Sequence, residues 1–388
     1  MKLYFSTIIA ILLILIIPFE LFSQSILIGT VEDGETHKPI PFANVFLSNT
    51  TKGAISDEQG KFTIKNVPIG RFDLIASAIG FETLKITLQT SDKRSYRIIL
   101  KPSNNQLNDI TVKARKDKSW IDKVTFFKNN FIGISENAKY CNLVNPEVLY
   151  FNDTLNSFRA YARDLLIVEN RGLGYRLKYA LIKFDYDYKK KKISYEGYPV
   201  FESITPESEK ESNRWIENRK KAYLGSIRHF MKSLYKRQLF KNGFIVQRVI
   251  EKIDKSGKVR QITLHGKKVN FYPTPADTIV RVLLPDTLSA DKLIDTDQST
   301  NGQTVVSFQG TMQVVYFYEL ESFDYQQTHS PPKEGYLKSP QLSIMRMTSP
   351  SVVIEPDGHF YDPLGILFEW YWSWELVSEM LPFDYEII

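Results

Sequence analysis

Apolar and polar residues alternate in short runs between residues 26 and 100, and this pattern predicts a β-rich first domain. Ala43, Val45 and Leu47 alternate with polar neighbours, as in a strand with one buried face. Glycine and proline separate the runs at short intervals, which is typical of an all-β sandwich. We therefore predict a small two-sheet sandwich of about seven strands, among them Ile26–Val31, Lys61–Lys65, Phe72–Ala76, Leu84–Leu88 and Tyr96–Leu100.

The chain beyond residue 120 combines strand patterns with a helical stretch, which predicts a strand-rich mixed α/β domain. Tyr175 to Leu181 alternates between apolar and polar positions, and the lysine-rich Lys189–Lys192 is predicted to be a solvated turn. Further strands are predicted at Ile193–Tyr195, Phe244–Ile253, Ile279–Leu284, Thr304–Phe308, Met312–Tyr318 and Ser343–Met347.

The helical stretch is predicted to start at Thr205–Pro206 and to end at Asn242–Gly243. Proline favours the first helical position, and three glutamates follow it near the positive helix end. In the second half the apolar residues share one face, namely Tyr223, Ile227, Phe230, Met231 and Leu234. Basic residues fall on another face, namely Lys221, Arg228, Lys232 and Lys236.

Charge is distributed unevenly along a chain whose net charge is only +6. Residues 218–250 contain nine lysines and arginines and no acidic residue, whereas residues 348–388 contain eight acidic residues and no lysine or arginine. If both segments were exposed, one surface of the protein would be uniformly positive and another uniformly negative. We therefore predict that they meet in one intramolecular interface, held mainly by apolar contacts because exposed ion pairs contribute only ~0–1 kcal/mol.

The N-terminal residues resemble a secretory signal peptide. Lys2 precedes the apolar run Ile8–Ile17, and the small residue Ser23 precedes Gln24. An uncleaved anchor helix is the alternative, but a bilayer span needs ~20 apolar residues. We predict cleavage after Ser23, and hence a location in the periplasm, at the outer-membrane periphery or outside the cell. The single cysteine, Cys141, excludes a lipoprotein anchor at Gln24, an internal disulfide and a cysteine-based zinc cluster.

Residues 26–100 resemble the carboxypeptidase regulatory-like domain, a transthyretin-like β-sandwich. The positions that carry the resemblance are spaced over the whole domain: Gly29, Val31, Thr36, Pro39, Pro41, Ala43, Val45, Gly53, Asp57, Gly60, Phe62, Ile64, Pro68, Gly70, Leu74, Ser77, Gly80 and Phe81. The predicted organisation is a signal peptide (1–23), the sandwich (24–104), a polar linker (105–119) and the mixed α/β domain (120–388).

The acidic stretch Ser56–Gly60 within the sandwich is predicted to be a turn. Asp57 can accept a hydrogen bond from its own turn, and Gly60 can adopt the positive φ that closes a hairpin. A calcium loop needs six or more oxygen ligands, and only two carboxylates are at hand. No metal ion or other cofactor is therefore predicted.

No known activity follows from these resemblances. A zinc carboxypeptidase would show His-x-x-Glu, and none of the five histidines has glutamate three residues later. The same sandwich precedes the plug and barrel of SusC-type transporters, and Leu107–Ala114 matches the segment that follows it there. The roughly 275 residues that remain are expected to be too few for such a barrel. Ile216–Gly225 and Met380–Tyr385 resemble stretches in the second domain of exported sandwich proteins, which implies no activity.

Two groups of side chains form the candidate binding surface. Arg228, Lys232 and Lys236 could bind anionic lipid headgroups or polyanions, but a helix packed on the core with a solvated or paired basic face is the favoured interpretation. Nucleic acid is not expected, because no nucleic-acid module is recognised. The aromatic segment Phe368–Trp374 contributes the second group, Trp370, Trp372 and Trp374, which could stack on sugars; aromatics at this density more often build a core.

The sequence thus favours a non-catalytic, exported cell-envelope protein that binds or scaffolds, with an envelope glycan or another envelope protein as its partner. Membrane contact is not favoured. The alternative is a hydrolase that acts on an envelope glycan or peptide through carboxylates of the second domain. Glu369 and Glu375 lie in the aromatic segment, and a glycosidase pair needs carboxyls at a set separation.

Overall fold

The computed structural model describes residues 26–91, 95–103, 118–254, 260–264, 267–271, 278–300, 303–329, 338–360 and 362–387. The predicted signal peptide and nearly all of the predicted linker lie outside these residues, as does the segment Leu107–Ala114. The chain divides into two compact units, the first comprising residues 1–48 and 52–106 and the second residues 49–51 and 107–388.

The first unit is the predicted sandwich. Its described strands are β1 (Leu27–Asp33), β2 (Asn44–Leu47), β3 (Gly53–Ile55), β4 (Lys61–Ile64), β5 (Arg71–Ser77), β6 (Leu84–Gln89) and β7 (Ser95–Leu100). One sheet has the order β4-β1-β7 and the other β3-β2-β5-β6. Only the β1–β7 pair is parallel. The inward-facing residues of the alternating runs, such as Val31, Val45 and Ile98, are buried between the sheets.

The stretch Ser56–Gly60 is a turn, as predicted. A carboxyl oxygen of Asp57 accepts hydrogen bonds from the backbone N–H of Gln59 (2.9 Å) and of Lys61 (2.8 Å), and Gly60 has a φ of +72°. The turn does not close a hairpin, however. It joins β3 to β4, and these strands belong to different sheets. The glycine is needed because the turn passes the chain from one sheet to the other and must fold tightly against β1.

The second unit begins with a long helix over a six-stranded sheet. The helix α1 (Lys118–Phe131) buries Phe127 and Phe131 against Phe184 of the sheet, with ring centroids 5.0 and 6.3 Å apart. The sheet has the order β8-β11-β12-β10-β9, with β13 paired to β12. Its strands are β8 (Cys141–Leu143), β9 (Leu149–Asp153), β10 (Ser157–Ala162), β11 (Leu166–Asn170), β12 (Tyr175–Asp187) and β13 (Lys192–Ser203).

The predicted helical part contains two helices, α2 (Glu209–Tyr223) and α3 (Ile227–Tyr235), and the second of them ends before Asn242. α2 begins three residues later than the proline predicts, because Ser208 caps it by accepting from the backbone N–H of Glu211 at 3.2 Å. Ser226 caps α3 in the same way through the N–H of His229. Asn242 belongs to a separate short turn.

A second, five-stranded sheet forms the other half of this unit, with the order β17-β14-β20-β21-β23. Its strands are β14 (Phe244–Asp254), β17 (Thr278–Thr287), β20 (Thr311–Leu320), β21 (Pro340–Met347) and β23 (Ile366–Trp370). Two smaller sheets contain β15 (Arg260–Leu264) with β16 (Lys267–Phe271), and β18 (Ile294–Thr300) with β19 (Gln303–Val306) and β22 (Val352–Ile354). The remaining helices are α4 (Phe323–His329) and the single turn α5 (Tyr371–Trp374). The fold class predicted from the sequence is confirmed.

Two hydrophobic cores form within the second unit, and its C-terminal segment contributes to both. One core lies between α1 and the six-stranded sheet and includes Val377. The other surrounds α3 and the five-stranded sheet and includes Trp372. The C-terminal segment therefore completes the hydrophobic core in each half of this unit.

Candidate functional site

The predicted meeting of the basic helix and the C-terminal segment is confirmed. Phe230 of α3 packs on Trp372, with ring centroids 5.2 Å apart, and both side chains are buried. The indole Nε1 of Trp372 also donates a hydrogen bond to the carbonyl of Gly225 at 2.8 Å. Met231 and Leu234 belong to the same core. Apolar packing thus holds the interface, as expected from the weakness of exposed ion pairs.

Arg228 occupies the centre of this interface, but its partners differ from the expected carboxylates. The guanidinium donates hydrogen bonds to four main-chain carbonyls, those of Asp357 (3.1 Å), Pro382 (3.0 Å), Tyr385 (3.0 Å) and Phe383. We call this arrangement the carbonyl cage. Carbonyl dipoles stabilise the buried charge without bringing a second charge out of water, whose desolvation costs several kcal/mol. Arg228 is only 9% exposed, which favours a structural role over a place on a binding surface.

The other two predicted basic residues lie further along the helix. Lys232 donates to the carboxylate of Glu386 at 2.8 Å and is the one member of this group that pairs with an acid of the C-terminal segment among the described contacts. Lys236 follows the last helical residue and is exposed. The three side chains therefore do not share one face open to a ligand, and only Lys236 remains a candidate for surface binding.

His229 lies beside Arg228 in the helix and is also buried. Its Nδ1 accepts a hydrogen bond from the N–H of Gly225 at 3.1 Å, so that the ring proton is on Nε2. Burial, together with the nearby charge of Lys232, lowers the pKa of His229 to about 4. The imidazole is therefore neutral near pH 7 and contributes to packing.

The three predicted tryptophans have different environments. Trp372 is buried in the core around α3. Trp370 ends β23 with a φ of +67°, a backbone conformation that is rare for a bulky residue and that reverses the chain into α5. Trp374 is partly exposed at the end of α5. Trp372 and Arg228 therefore belong to one interface, whereas Trp374 lies outside it at the end of α5.

Trp374 forms a corner of aromatic rings with two residues of α4. Its ring lies 5.6 Å from that of exposed His329 at an interplanar angle of 89°. Tyr325 lies behind both, stacked on His329 at 4.4 Å and edge-on to Trp374 at 5.8 Å. Tyr325 is buried and itself packs on Tyr371 at 5.0 Å. We call Tyr325, His329 and Trp374 the aromatic corner.

Carboxyl groups with altered acidity follow directly after the aromatic corner. Burial, reinforced by the charges of Glu379 and Glu319, raises the pKa of Glu375 well above its usual range. Burial also raises the pKa of Glu379, although its carboxylate accepts hydrogen bonds from the Ser135 hydroxyl and from Asn137 Nδ2 at 2.7 Å. Both carboxyls belong to the segment that follows Trp374 in the chain.

Glu369, the other carboxylate singled out in the sequence, is held differently. Burial opposes its ionisation, but hydrogen bonds and charge from Arg346 and Lys192 dominate and lower the pKa of Glu369. Lys192 Nζ lies 3.3 Å from one carboxylate oxygen, and Arg346 donates to the other. Glu369 is therefore an ionised member of an ion-pair network.

No motif in the sequence pointed to Tyr325 and His329. They are four residues apart on one face of a short helix, a spacing that places both rings side by side. They precede Trp374 by more than 40 residues, and only the packing of α4 against α5 brings them to it. An aromatic residue and a histidine at helical spacing are the only local signal.

Two further findings concern the described part of the chain. It contains no group of three or more histidine, cysteine, aspartate or glutamate side chains arranged to hold a metal ion. Among the same residues, no helix is both long and apolar enough to cross a membrane.

Comparison with solved structures gives only distant likenesses. A type II cohesin–X–dockerin complex of Acetivibrio cellulolyticus, an N-terminal interface mutant, matches 30% of this chain and 80% of its own, with 15% identity and a TM-score of 0.20. BcpA, the major pilin subunit of Bacillus cereus, matches 82% of this chain and 94% of its own, with 10% identity and a TM-score of 0.17. TM-scores this low carry no argument about fold or function.

Sequence comparison identifies the first unit. Over 111 residues the chain is 32% identical to TonB-dependent receptor P39 of Formosa agariphila, a match that covers 28% of this chain and 10% of the receptor. The family of CarboxypepD_reg-like domains matches residues 27–112, which confirms the resemblance predicted from the spaced glycines, prolines and apolar residues. The chain therefore carries a CarboxypepD_reg-like domain at residues 27–112.

Proposed function

We propose that this chain is a non-catalytic binding protein of the cell envelope, and that its second unit binds a glycan at the aromatic corner. The observation that carries the proposal is the right-angled arrangement of Trp374 and exposed His329 over a buried Tyr325. The sandwich would act as an accessory module. The binding itself needs no metal or other cofactor.

The geometry suits the flat faces of a sugar ring. The axial C–H groups of a pyranose pack on an aromatic face, while its hydroxyls need polar partners at the edge. Tyr325 and Tyr371 hold the exposed rings from behind, so that little rotational freedom is lost when a ligand binds. Glu375 follows Trp374 in the chain, and burial raises the pKa of its carboxyl, which in its neutral form would donate a hydrogen bond.

Binding to envelope material tests the proposal. The purified protein should co-sediment with isolated peptidoglycan sacculi or be retarded by a soluble envelope polysaccharide in affinity electrophoresis. Trp374→Ala should weaken the affinity about tenfold, since an aromatic contact contributes ~0.5–1.5 kcal/mol beyond its buried area. Phe240→Ala, which truncates an exposed ring outside the aromatic corner, is the matched control. Equal binding by both variants, or none by the unmodified protein, would contradict the proposal.

The proposed location rests on the predicted signal peptide. We expect the exported protein to start at Gln24, because Ser23 is the small residue that ends the apolar leader. Intact-mass measurement of protein recovered from the envelope fraction checks this. A product that keeps residues 1–23 would indicate a membrane anchor instead.

A hydrolase is the second candidate, because two carboxyls of the C-terminal segment have pKa values that are shifted in opposite directions. The pKa of Glu375 is raised and that of Glu369 is lowered, the directions expected of a general acid and its ionised partner. Against this, Glu369 is tied to Arg346 and Lys192 and is not free to attack a sugar. Release of reducing ends from sacculi or polysaccharide that is lost in Glu375→Gln would support the hydrolase; its absence supports binding.

A further inference from the structure

A second surface feature lies outside the aromatic corner, at the end of the helical stretch. The Phe240 side chain is 70% exposed and the Tyr318 side chain 62% exposed, although residues of this type are usually covered. Phe317 joins them: its ring centroid lies 5.6 Å from that of Phe240 and 4.7 Å from that of Tyr318. We call these three residues the aromatic patch.

The main chain holds the aromatic patch in place. Phe240 lies in a short 3-10 turn between α3 and β14, while Phe317 and Tyr318 lie near the end of β20. The N–H of Phe317 donates a hydrogen bond to the carbonyl of Gly243 at 2.9 Å, which ties the strand to the turn. Leu320, two residues beyond Tyr318 in β20, is another exposed apolar side chain, at 53%.

Three basic residues flank Phe240 in the sequence, and we call them the basic border of the aromatic patch. Lys236, Arg237 and Lys241 are all exposed and lie within five residues of Phe240. Arg237 pairs with Asp291 at 2.9 Å on the surface. Arg228 and Lys232 of the basic run contact the C-terminal segment, whereas Lys236, Arg237 and Lys241 are exposed and flank Phe240 in the sequence.

We propose that the aromatic patch and its basic border contact an anionic lipid surface. Aromatic side chains favour the boundary between lipid headgroups and acyl chains, and lysine adjacent to them is attracted to anionic headgroups. Long basic side chains can keep their charge among headgroups while their methylenes cover apolar surface. The positive charge of the basic border complements an anionic membrane. This charge favours an anionic lipid surface over an uncharged apolar partner as the ligand of the aromatic patch. The proposal does not depend on glycan binding.

Vesicle co-sedimentation tests this contact, using the chain from Gln24 onward, because an apolar leader would itself bind lipid. Binding to phosphatidylcholine vesicles that contain phosphatidylglycerol should exceed binding to pure phosphatidylcholine and should fall as salt is added. The double variant Lys236→Gln and Lys241→Gln should weaken it about 25-fold, since each lysine contributes ~1 kcal/mol at an anionic surface. Phe240→Ser should weaken binding to anionic vesicles about tenfold, through the lost burial of its ring.

The controls lie elsewhere on the second unit. Leu155→Ser removes a side chain that is 99% exposed, and Lys190→Gln removes an exposed charge from the turn after β12; both should bind as the unmodified protein does. Thermal melting should show that all variants remain folded. Equal binding to neutral and anionic vesicles, or equal losses in the control variants, would overturn the proposal. No vesicle binding at low salt would also overturn it and would assign the patch to a protein partner.

Discussion

The two units of this chain differ in the sequence separation of their polar contacts. In the sandwich the polar contacts that shape the turns are local. Asp57, for example, accepts hydrogen bonds from residues that follow it by two and four positions. In the second unit Arg228 contacts residues that follow it by 129 to 157 positions. Because such contacts need most of the chain in place, the comparison predicts that the second unit depends on its last residues and that the sandwich does not.

Deletion of residues 351–388 should have the largest effect and should unfold the second unit. It removes β22 and β23, the Trp372 and Val377 side chains from the two cores, and all four carbonyl partners of Arg228. Calorimetry should show one cooperative transition lost and the sandwich transition retained. A fragment of residues 24–104 should melt cooperatively and identify that transition. An unfolded fragment would show that the sandwich is not independent.

Replacement of Arg228 by methionine should be the most damaging single change. It keeps much of the side-chain volume but leaves carbonyls of the cage without a donor, at ~1–3 kcal/mol for each buried group. We expect the free energy of unfolding of the second unit to fall by about 3 kcal/mol or more. Arg237→Met, which breaks the exposed pair with Asp291, should cost at most ~1 kcal/mol. Urea unfolding measures both, and similar losses would show that the cage contributes little.

The contribution of His229 to the stability of the second unit should fall as the pH drops from about 6.5 towards 4. Burial lowers the pKa of His229 to about 4 in the folded chain, so over this range only the unfolded chain gains its proton. The loss should reach roughly 3 kcal/mol and level off below the folded pKa. Glu375 and Glu379, whose pKa values are raised, act in the opposite direction.

The contribution of His229 is therefore read from the difference between the unmodified chain and His229→Gln at each pH. That difference should change through this window and be constant above it. His37→Gln, at an exposed position of the sandwich, should reproduce the unmodified profile. A difference that does not vary with pH would refute the assignment to His229.

The smallest expected effect distinguishes two glycines of the sandwich. Alanine at Gly60 must adopt a φ of +72° and would place its Cβ 2.6 Å from the carbonyl oxygen of Val31. Gly80 has a similar φ of +85°, but a Cβ there meets no atom within 4 Å. Both variants should lose the ~1–2 kcal/mol of the left-handed conformation, and Gly60→Ala should lose about 1 kcal/mol more. Equal melting temperatures of the Gly60→Ala and Gly80→Ala variants would show that the turn at Gly60 shifts to accommodate the added methyl group without cost.

The sandwich was predictable because its signals are local. Period-two alternation locates the buried positions, and glycine and proline locate the turns, so Val45 and Gly60 could be interpreted from their neighbours alone. What alternation does not specify is the partner of each strand. That is why the turn at Asp57 was predicted to close a hairpin, although it connects two sheets.

In the second unit the strands β12, β13, β14, β17, β19, β20 and β21 were predicted, whereas β8 to β11, β22, β23 and the helices α1 and α4 were not. The break between the two helices falls at Gly225, which has a φ of +78°, and it is stabilised by the Ser226 cap and by the Trp372 indole that donates to the Gly225 carbonyl. Opposite charges indicated which segments meet. They did not indicate that Arg228 would bind carbonyls, because main-chain acceptors carry no signal in the side-chain sequence.

The carbonyl cage also sets an order of events during synthesis. The sandwich can close once its own residues have left the ribosome, but Arg228 gains three of its four partners only when residues 382–385 emerge, roughly 280 residues later. At typical translation rates that interval is on the order of 15 to 60 s. From the time that α3 emerges until Trp372 does, roughly 140 residues later, α3 presents Phe230 and Leu234 without the indole that covers them in the finished fold. We therefore expect chaperones to bind the exposed apolar residues of the nascent second unit and not the sandwich.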